Sequence, residues 1–376
     1  LGICLLASSK DLLSLYLSLE MQSLSFYVLA SFQRQSGFST EAGLKYFLLG
    51  AISSGFLLLG ISWIYGLTGT TNLDNLYSLV SDEGFSALSF SLLLFSFGLF
   101  FKLGAVPFHM WVPDVYEGSP DSVSIFFAVV PKLSFLIIIT RVIFSTFILF
   151  SIWQKLLLVL AVSSIFWGAL MAYSQTKSKR LLSYSGISHV GYSLIALASG
   201  TLLGGQAILI YISLYILTSF FLWILILSFS TKSYYYRTRF LTDTVMLTRT
   251  NPVLGWTAVL VVFSLAGIPP LGGFFAKLAV FQSSIDAGFF FLSGLVFIIG
   301  VISMVYYLGL IKLFSFEKGF WGKTKPLGKS SSLILGIFGI IVICFVLFAN
   351  FISLFTYFAF FILSIFYIEL KNYNAF

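Results

Sequence analysis

The sequence predicts an all-α polytopic membrane protein of about eleven transmembrane helices, built as two inverted five-helix repeats with a broken helix in each. Three observations carry that reading. Apolar residues make up 59% of the 376 positions and charged residues only 9%, against about 25% charged in a soluble domain, so the chain cannot cover itself with a solvated surface. Its apolar runs are long and unbroken rather than ten-residue alternations, which favours helices over a β-barrel. Two of the runs carry the same proline-centred interruption at corresponding places.

The runs fall at 12–32, 43–66, 86–108, 122–146, 153–173, 181–199, 205–230, 253–283, 287–314 and 331–350. Residues 1–9 read as the end of a further helix, and 351–368 as an eleventh span or the tail of the tenth. The organisation expected is a first repeat at 1–146, a second at 147–314, and a basic loop with the C-terminal helix or helices at 315–376. The chain opens at Leu1 with no charged n-region or small-residue cleavage site, so its start does not read as a signal peptide.

Loop charge sets the expected orientation. Basic residues follow the first, fifth, seventh and ninth runs: Arg34 and Lys45; Lys177, Lys179 and Arg180; Lys232, Arg237, Arg239 and Arg249; Lys318, Lys323, Lys325 and Lys329. The loop after the second run is acidic, with Asp74, Asp82 and Glu83. The basic side is expected to face the cytoplasm or the mitochondrial matrix.

Composition excludes several functions. The net charge is +8, but the basic residues sit in short loops rather than on one polar face, so no nucleic-acid surface is expected. Cys4 and Cys344 lie near opposite ends, which rules out a disulfide framework and a cysteine-ligated zinc or iron–sulfur site within the chain. Two histidines are too few for a typical multi-histidine metal or haem site, and no glycine-rich phosphate loop follows a strand.

The interruptions read Lys102-Leu-Gly-Ala-Val-Pro107-Phe-His109 and Leu265-Ala-Gly-Ile-Pro269-Pro270-Leu-Gly-Gly, the latter followed by Lys277. Proline removes a helical hydrogen bond and clashes with the preceding turn, and in hydrocarbon the freed carbonyls must be satisfied by protein or water. Grouping the partial helix with runs one to four, and runs five to nine together, places the broken helix fourth in each group. An odd number of helices per group inverts the second in the membrane.

Glu20, Lys102, Lys132 and Lys277 lie well inside spans. Left charged and unpaired, four such groups would cost on the order of 10–14 kcal/mol on insertion scales, comparable to a protein's whole folding stability. They are therefore expected to be paired, hydrated or neutralised. Glu20 shares a helical stripe with Tyr16, Ser23 and Tyr27, and Lys132 follows Pro131 directly. Lys277 lies eight residues beyond Pro269, roughly 12 Å at helical rise. Burial favours neutral lysine and a nearby carboxylate favours the charged form; a lysine held between the two changes protonation when its neighbour moves. The competing reading is a static Glu20–Lys102 pair that fixes helix register. His189 lies among hydroxyls in Ser183-Tyr-Ser-Gly-Ile-Ser188-His189 and reads either as a proton relay or as a histidine satisfied by a serine. His109 follows the first break, in a stretch with Trp111, Asp114 and Glu117 that reads as interfacial. Arg141 lies near a span end, from which it can snorkel.

These segments together resemble one family. The strings are Ser18-Leu-Glu20-Met-Gln22-Ser-Leu-Ser-Phe-Tyr27, Phe38-Ser-Thr-Glu41-Ala-Gly-Leu-Lys45-Tyr46, Val106-Pro-Phe-His109-Met-Trp111-Val-Pro113-Asp114-Val-Tyr116-Glu117-Gly118-Ser-Pro120, Gln175-Thr-Lys177-Ser-Lys179-Arg180 running on to His189-Val-Gly191-Tyr192, and Ala266-Gly-Ile-Pro269-Pro270-Leu-Gly-Gly-Phe274-Phe-Ala-Lys277. They resemble the NADH dehydrogenase subunit 2 family, the antiporter-like membrane subunits of respiratory complex I, from near the start to about residue 314. The resemblance implies two inverted five-helix units and a proton channel whose polar residues match Glu20, Lys102, Lys132, His189 and Lys277. It implies no redox cofactor in this chain, with NADH, FMN, iron–sulfur clusters and ubiquinone held by partner subunits. The expected partners are the other membrane subunits of complex I, other antiporter-like subunits among them, and lipids.

Two departures bear on this. The full-length bacterial form has fourteen helices, and its first three and part of the fourth have no counterpart here; a separate chain is one expected source of them. The family usually has Thr after Pro120, where this chain has Asp121. The 44 phenylalanines and the missing helices suit an organellar genome, which points to the mitochondrial inner membrane, with basic loops facing the matrix, over a bacterial membrane or a plastid thylakoid. The expected function is proton translocation driven by quinone reduction in partner subunits. The alternatives are a stand-alone cation/proton antiporter of the multisubunit type and a structural membrane subunit with an inactive channel.

Overall fold

The computed structural model describes residues 1–80, 86–142, 151–228, 240–245, 247–317, 328–345, 347–348 and 351–358. They are helical apart from connecting turns, and the only β pairing among them is two isolated bridges, Asp11 with Asn72 and Lys177 with Phe240. Seven helices among the described residues are long and apolar enough to cross a membrane. The chain forms two compact units, Leu1–Ser164 and Ile165–Phe376.

The first unit runs α1 (Gly2–Ser8), α2 (Leu12–Ala30), α3 (Gly37–Thr68), α4 (Leu73–Val80), α5 (Ser86–Leu103), α6 (Trp111–Gly118), α7 (Asp121–Val142) and the start of α8 (Ser151–Tyr173). The apolar runs at 12–32, 43–66, 122–146 and 153–173 fall on α2, α3, α7 and α8; residues 143–146 lie outside the described residues, as do Asp82 and Glu83 of the acidic loop. The run at 86–108 ends as a helix at Leu103, and the chain re-enters helix at Trp111. Lys45, read from the sequence as a loop cation, lies inside α3, because that helix begins at Gly37. There it bridges Glu41 at 2.8 Å, one turn back, and Asp114 of α6 at 3.2 Å.

Small residues let α3 and α5 approach closely, as in membrane helix pairs generally. A Cβ added at Gly60 would lie 2.4 Å from the Phe95 nitrogen, and one at Gly98 would lie 2.4 Å from Leu57 Cβ. The α1–α2 turn is tied down from two directions. Leu12 N–H donates to the Thr71 carbonyl at 2.9 Å, and Leu73 N–H to the Lys10 carbonyl at 3.1 Å. Arg141 Nη1 donates to the carbonyls of Ala7 at 3.0 Å and Ser9 at 3.1 Å. Its role is thus to satisfy the open C-terminal end of α1, a contact the sequence reading missed.

The second unit holds the rest of α8, α9 (Ser178–Ala198), α10 (Leu202–Ser228), a 3₁₀ turn (Leu241–Thr244), α11 (Leu247–Thr250), α12 (Pro252–Ala266), α13 (Gly272–Asp286), α14 (Phe290–Ser315) and α15 (Lys329–Cys344), with 351–358 also helical. The runs at 181–199, 205–230, 287–314 and 331–350 fall on α9, α10, α14 and α15, with residues 229–230, 346 and 349–350 outside the described residues, and the run at 253–283 divides into α12 and α13. Lys232, Arg237, Arg239, Lys318, Lys323, Lys325 and residues 359–376 lie outside the described residues.

The least hydropathic of the seven long helices, α9, is also the most enclosed: 94% of its span is buried, against 39% for α3. In a bilayer the lipid-facing helices must be the apolar ones, whereas an interior helix can carry serines and a histidine that its neighbours satisfy. Gly168 of α8 lets that packing close, since a Cβ there would lie 2.7 Å from the Ser188 nitrogen.

Candidate functional site

Each unit places its ionisable side chains around a helix break. In the first unit, α5 stops because Gly104 turns left-handed at φ 77, a conformation glycine adopts without steric penalty. The last carbonyls of α5 are then satisfied locally. Gly104 and Ala105 N–H both donate to the Phe100 carbonyl, and Phe101 accepts from Gly104 N–H and from the Trp111 indole at 2.9 Å. The Val106–Pro107 bond is cis.

Lys102 sits on the last turn of α5 and is 4% exposed. Its Nζ lies 3.6 Å from Glu20 Oε1 and donates to Tyr27 Oη at 3.5 Å. Ser23 Oγ donates to Glu20 Oε2 at 3.4 Å. The stripe of Glu20, Ser23 and Tyr27 on α2 therefore does converge on the Lys102 ammonium. The pair is unevenly enclosed, with side-chain exposures of 2% for Lys102 and 24% for Glu20.

Lys132 is buried on α7, with its Nζ 6.0 Å from the centre of the Tyr116 ring. Pro131 has no N–H to donate to the carbonyl of Phe127, four residues back. The Tyr116 hydroxyl supplies the missing donor at 2.8 Å. The turn between α6 and α7, where Asp121 departs from the family pattern, is held by Ser124 Oγ, which donates to the Tyr116 carbonyl at 2.8 Å and lies 2.9 Å from Ser119 Oγ. His109 is buried in the break, and its Nδ1 has no hydrogen-bond partner among the described residues. In the stretch read as interfacial, Trp111 and Tyr116 are 5% and 2% exposed, because α6 packs against α3.

In the second unit, Gly267 ends α12 in the same left-handed way, at φ 84. The break spans Ile268 to Leu271 and includes the cis Pro269–Pro270 bond. Ser264 Oγ accepts from Gly273 N–H at 3.1 Å, and Lys277 Nζ reaches back to the Ala266 carbonyl at 2.8 Å. The helical ruler put Lys277 roughly 12 Å from the prolines. That ruler does not hold across a break, and the side chain folds back onto the end of the preceding helix.

His189 is clamped on both nitrogens, by Tyr211 Oη of α10 at 2.6 Å from Nδ1 and by Tyr307 Oη of α14 at 2.8 Å from Nε2. Its two ring-nitrogen partners are tyrosines from other helices, while two serines near it in sequence donate back to their own helix: Ser185 Oγ to the Leu182 carbonyl and Ser188 Oγ to the Ser185 carbonyl. Tyr192 stacks on Tyr211 at 5.8 Å, and its ring centre lies 5.3 Å from Lys277 Nζ. His189 and Lys277 line one cavity of about 20 Å³, together with Tyr211, Tyr215, Thr218 and Ser264 among others. That is room for about one water molecule, with polar partners around it.

Of the residues singled out from sequence, the structure brings Glu20 to Lys102, and His189 to the same cavity as Lys277; Lys132 stands against Tyr116. Trp111, Tyr116, Tyr211 and Tyr307 were missed as partners. The one signal that could have found one of them is the proline rule, which demands a foreign donor for Phe127. No group of three or more His, Cys, Asp or Glu among the described residues is placed to hold a metal ion.

An apolar helical bundle with buried lysines at two helix breaks defines an antiporter-like membrane protein, and comparison with known proteins agrees. Residues 9–305 match the family described as NADH:quinone oxidoreductase/Mrp antiporter, TM. NADH-quinone oxidoreductase subunit N of Pelagibacter ubique (strain HTCC1062) is 42% identical over 319 residues, covering 85% of this chain and 67% of the relative. NADH-ubiquinone oxidoreductase chain 2 of Marchantia polymorpha is 42% identical over 338 residues, covering 88% and 68%. Among solved structures, respiratory complex I from Thermus thermophilus with bound aureothin matches with a TM-score of 0.82 at 31% identity, over 94% of this chain and 77% of the matched one. The Mrp complex from Dietzia sp. DQ12-45-1b matches with a TM-score of 0.84 at 20% identity, over 96% and 75%, a likeness of fold alone. The chain belongs to the NADH:quinone oxidoreductase/Mrp antiporter family.

Proposed function

We propose that this chain is a proton-translocating membrane-arm subunit of NADH:quinone oxidoreductase, coupling quinone reduction in partner subunits to proton movement through Glu20, Lys102, Lys132, His189 and Lys277. The observation that carries the reading is the Glu20–Lys102 pair, 3.6 Å apart and set at a helix break. A carboxylate nearby favours the charged lysine and burial favours the neutral one, so separating the pair releases a proton and restoring it takes one up. Redox events in the partner subunits shift the pairing. Lys102 then passes its proton by way of Lys132 and the His189 region to Lys277, which releases it on the side opposite the basic loops.

The same reading takes the chain as two inverted five-helix repeats, 1–146 and 147–314, followed by a C-terminal segment at 315–376, with about eleven helices in all. Glycine-ended breaks beside a lysine in both units support it. The chain carries no redox cofactor; NADH, FMN, iron–sulfur clusters and ubiquinone belong to partner subunits. Its neighbours are the other membrane subunits of the complex and lipids. It resides in the mitochondrial inner membrane with its basic loops facing the matrix.

A mild-detergent native separation of the membrane tests membership. The chain travels with NADH-oxidising activity in a very large particle; migration in a small, NADH-inactive particle would favour the stand-alone antiporter. Lys102→Ala tests the chemistry: a full proton-to-electron ratio in that variant would overturn the translocation reading and favour the structural one.

A further inference from the structure

We infer that α6 is a bridge that positions Lys102 and Lys132 together, with Trp111 and Tyr116 as its two positioning residues; the inference rests on those lysines acting in proton transfer. The helix is only eight residues long, yet both of its polar aromatic side chains are spent on backbone irregularities beside a lysine. The Trp111 indole N–H donates at 2.9 Å to the Phe101 carbonyl, the residue before Lys102. The Tyr116 hydroxyl donates at 2.8 Å to the Phe127 carbonyl, the acceptor that Pro131 leaves without its helical donor, in the turn that leads into Lys132. The Tyr116 ring also lies 6.0 Å from Lys132 Nζ.

The bridge has a fixed abutment. Tyr46 of α3 stacks on the Trp111 ring with centres 4.6 Å apart and planes 14° from parallel. Gly118 leaves no room for a side chain, since a Cβ there would lie 2.5 Å from the Phe38 carbonyl oxygen and 2.6 Å from Ala42 Cβ. On the exposed edge Lys45 ties Asp114 to α3 at 3.2 Å. A helix end and a proline dislocation are the places where a small backbone shift redirects a side chain, because the regular hydrogen-bond ladder no longer holds the turn. Holding both through one short helix makes the two lysines move as a pair. Proton transfer depends on donor–acceptor geometry to within about half an ångström, so this shared mounting is what keeps Lys102 and Lys132 in register with each other.

Tyr116→Phe keeps its ring and removes only the O–H, whereas Trp111→Phe keeps an aromatic ring against Tyr46 but loses the indole N–H together with its five-membered ring. They are made singly and together in the intact complex, with Lys102→Ala alongside. The readings are assembled complex on a native gel, NADH oxidation with ferricyanide, and proton uptake per electron in sealed vesicles. Assembly and ferricyanide activity are retained, proton uptake per electron falls in each single variant, and the double variant is no worse than the poorer single, as expected of groups acting as one unit. Wild-type coupling in both single variants overturns the bridge, and losses that multiply in the double variant reduce it to two unrelated contacts. Should either variant fail to assemble, Lys45→Ala, which loosens α6 at its exposed edge, is read in the same way: lowered coupling supports the bridge and unchanged coupling overturns it. Full coupling in Lys102→Ala sinks the underlying proton-transfer reading instead, so the two failures are told apart.

Discussion

Lys277 and Ala266 face each other across the second helix break, with the lysine Nζ donating to the alanine carbonyl oxygen at 2.8 Å. One side chain thus serves two purposes, closing the open end of α12 and lining the cavity shared with His189. Lys277→Ala is expected to lose both. Removing the donor withdraws a hydrogen bond from a buried carbonyl, which destabilises by about 1–3 kcal/mol, and proton uptake per electron falls. Lys277→Arg retains a donor and is expected to recover thermal stability without full coupling. If Lys277→Ala melts and pumps like the parent complex, the residue has neither role.

Gly267 sets the geometry that brings that lysine back. Its φ of 84 is unfavourable for residues with a side chain, and an added Cβ would lie 2.8 Å from Lys277 Cδ. Gly267→Ala is expected to cost about 1–3 kcal/mol in backbone strain and to push Lys277 off the Ala266 carbonyl. A lower unfolding temperature of the solubilised complex, together with lowered coupling, is the expected result. Gly288 has the same backbone sign, at φ 81, with open space around it; Gly288→Ala is expected to share the stability loss and to spare coupling.

The helices were legible because apolar runs long enough to cross a bilayer have no other stable reading. The lysines stood out because a charge inside such a run is costly. Their partners were hidden for physical reasons. Tyr211 and Tyr307 lie in apolar runs where a tyrosine ring looks like one more aromatic of the core, and they meet His189 from 22 and 118 positions away. The serines nearest His189 in sequence made a plausible polar face, but a serine in a helix can satisfy itself on the carbonyl three or four residues back, and Ser185 and Ser188 do so. Lys45 was counted with the first basic loop although it falls inside the apolar run at 43–66; α3 begins earlier still, at Gly37, since the polar string Ser39-Thr-Glu41 folds as helix.

Glu20 and Lys102 provide a charge-pair test. Glu20→Gln removes the carboxylate charge and keeps the shape, leaving Lys102 with the Tyr27 hydroxyl. Coupled quinone reduction is expected to fall in Glu20→Gln and in Lys102→Ala. The double variant is expected to be less impaired than the product of the two, because its second change removes an already unpaired buried charge. The interaction energy expected of contacting residues is about 0.5–3 kcal/mol. Strict additivity in a double-mutant cycle on the coupled rate would mean that the two side chains work independently despite their 3.6 Å separation.

His189 is held by two hydroxyls that have different work to do. A neutral imidazole donates from one nitrogen and accepts at the other, so one of Tyr211 and Tyr307 accepts the ring proton while the other donates its own. A proton taken up at one nitrogen can leave from the other, but the next can follow only after the ring tautomer and both hydroxyls have been reset. Tyr211→Phe and Tyr307→Phe are therefore each expected to slow proton transfer through the second unit, although each keeps its ring and its packing. Each also removes one hydrogen bond, a stability loss of about 0.5–1.5 kcal/mol that a melting curve of the complex would register. Combined with His189→Ala, neither substitution is expected to lower coupling further, since the relay is already broken. A clear further loss in His189→Ala/Tyr307→Phe would assign the tyrosine a path of its own, through Tyr306, whose ring centre lies 4.3 Å away.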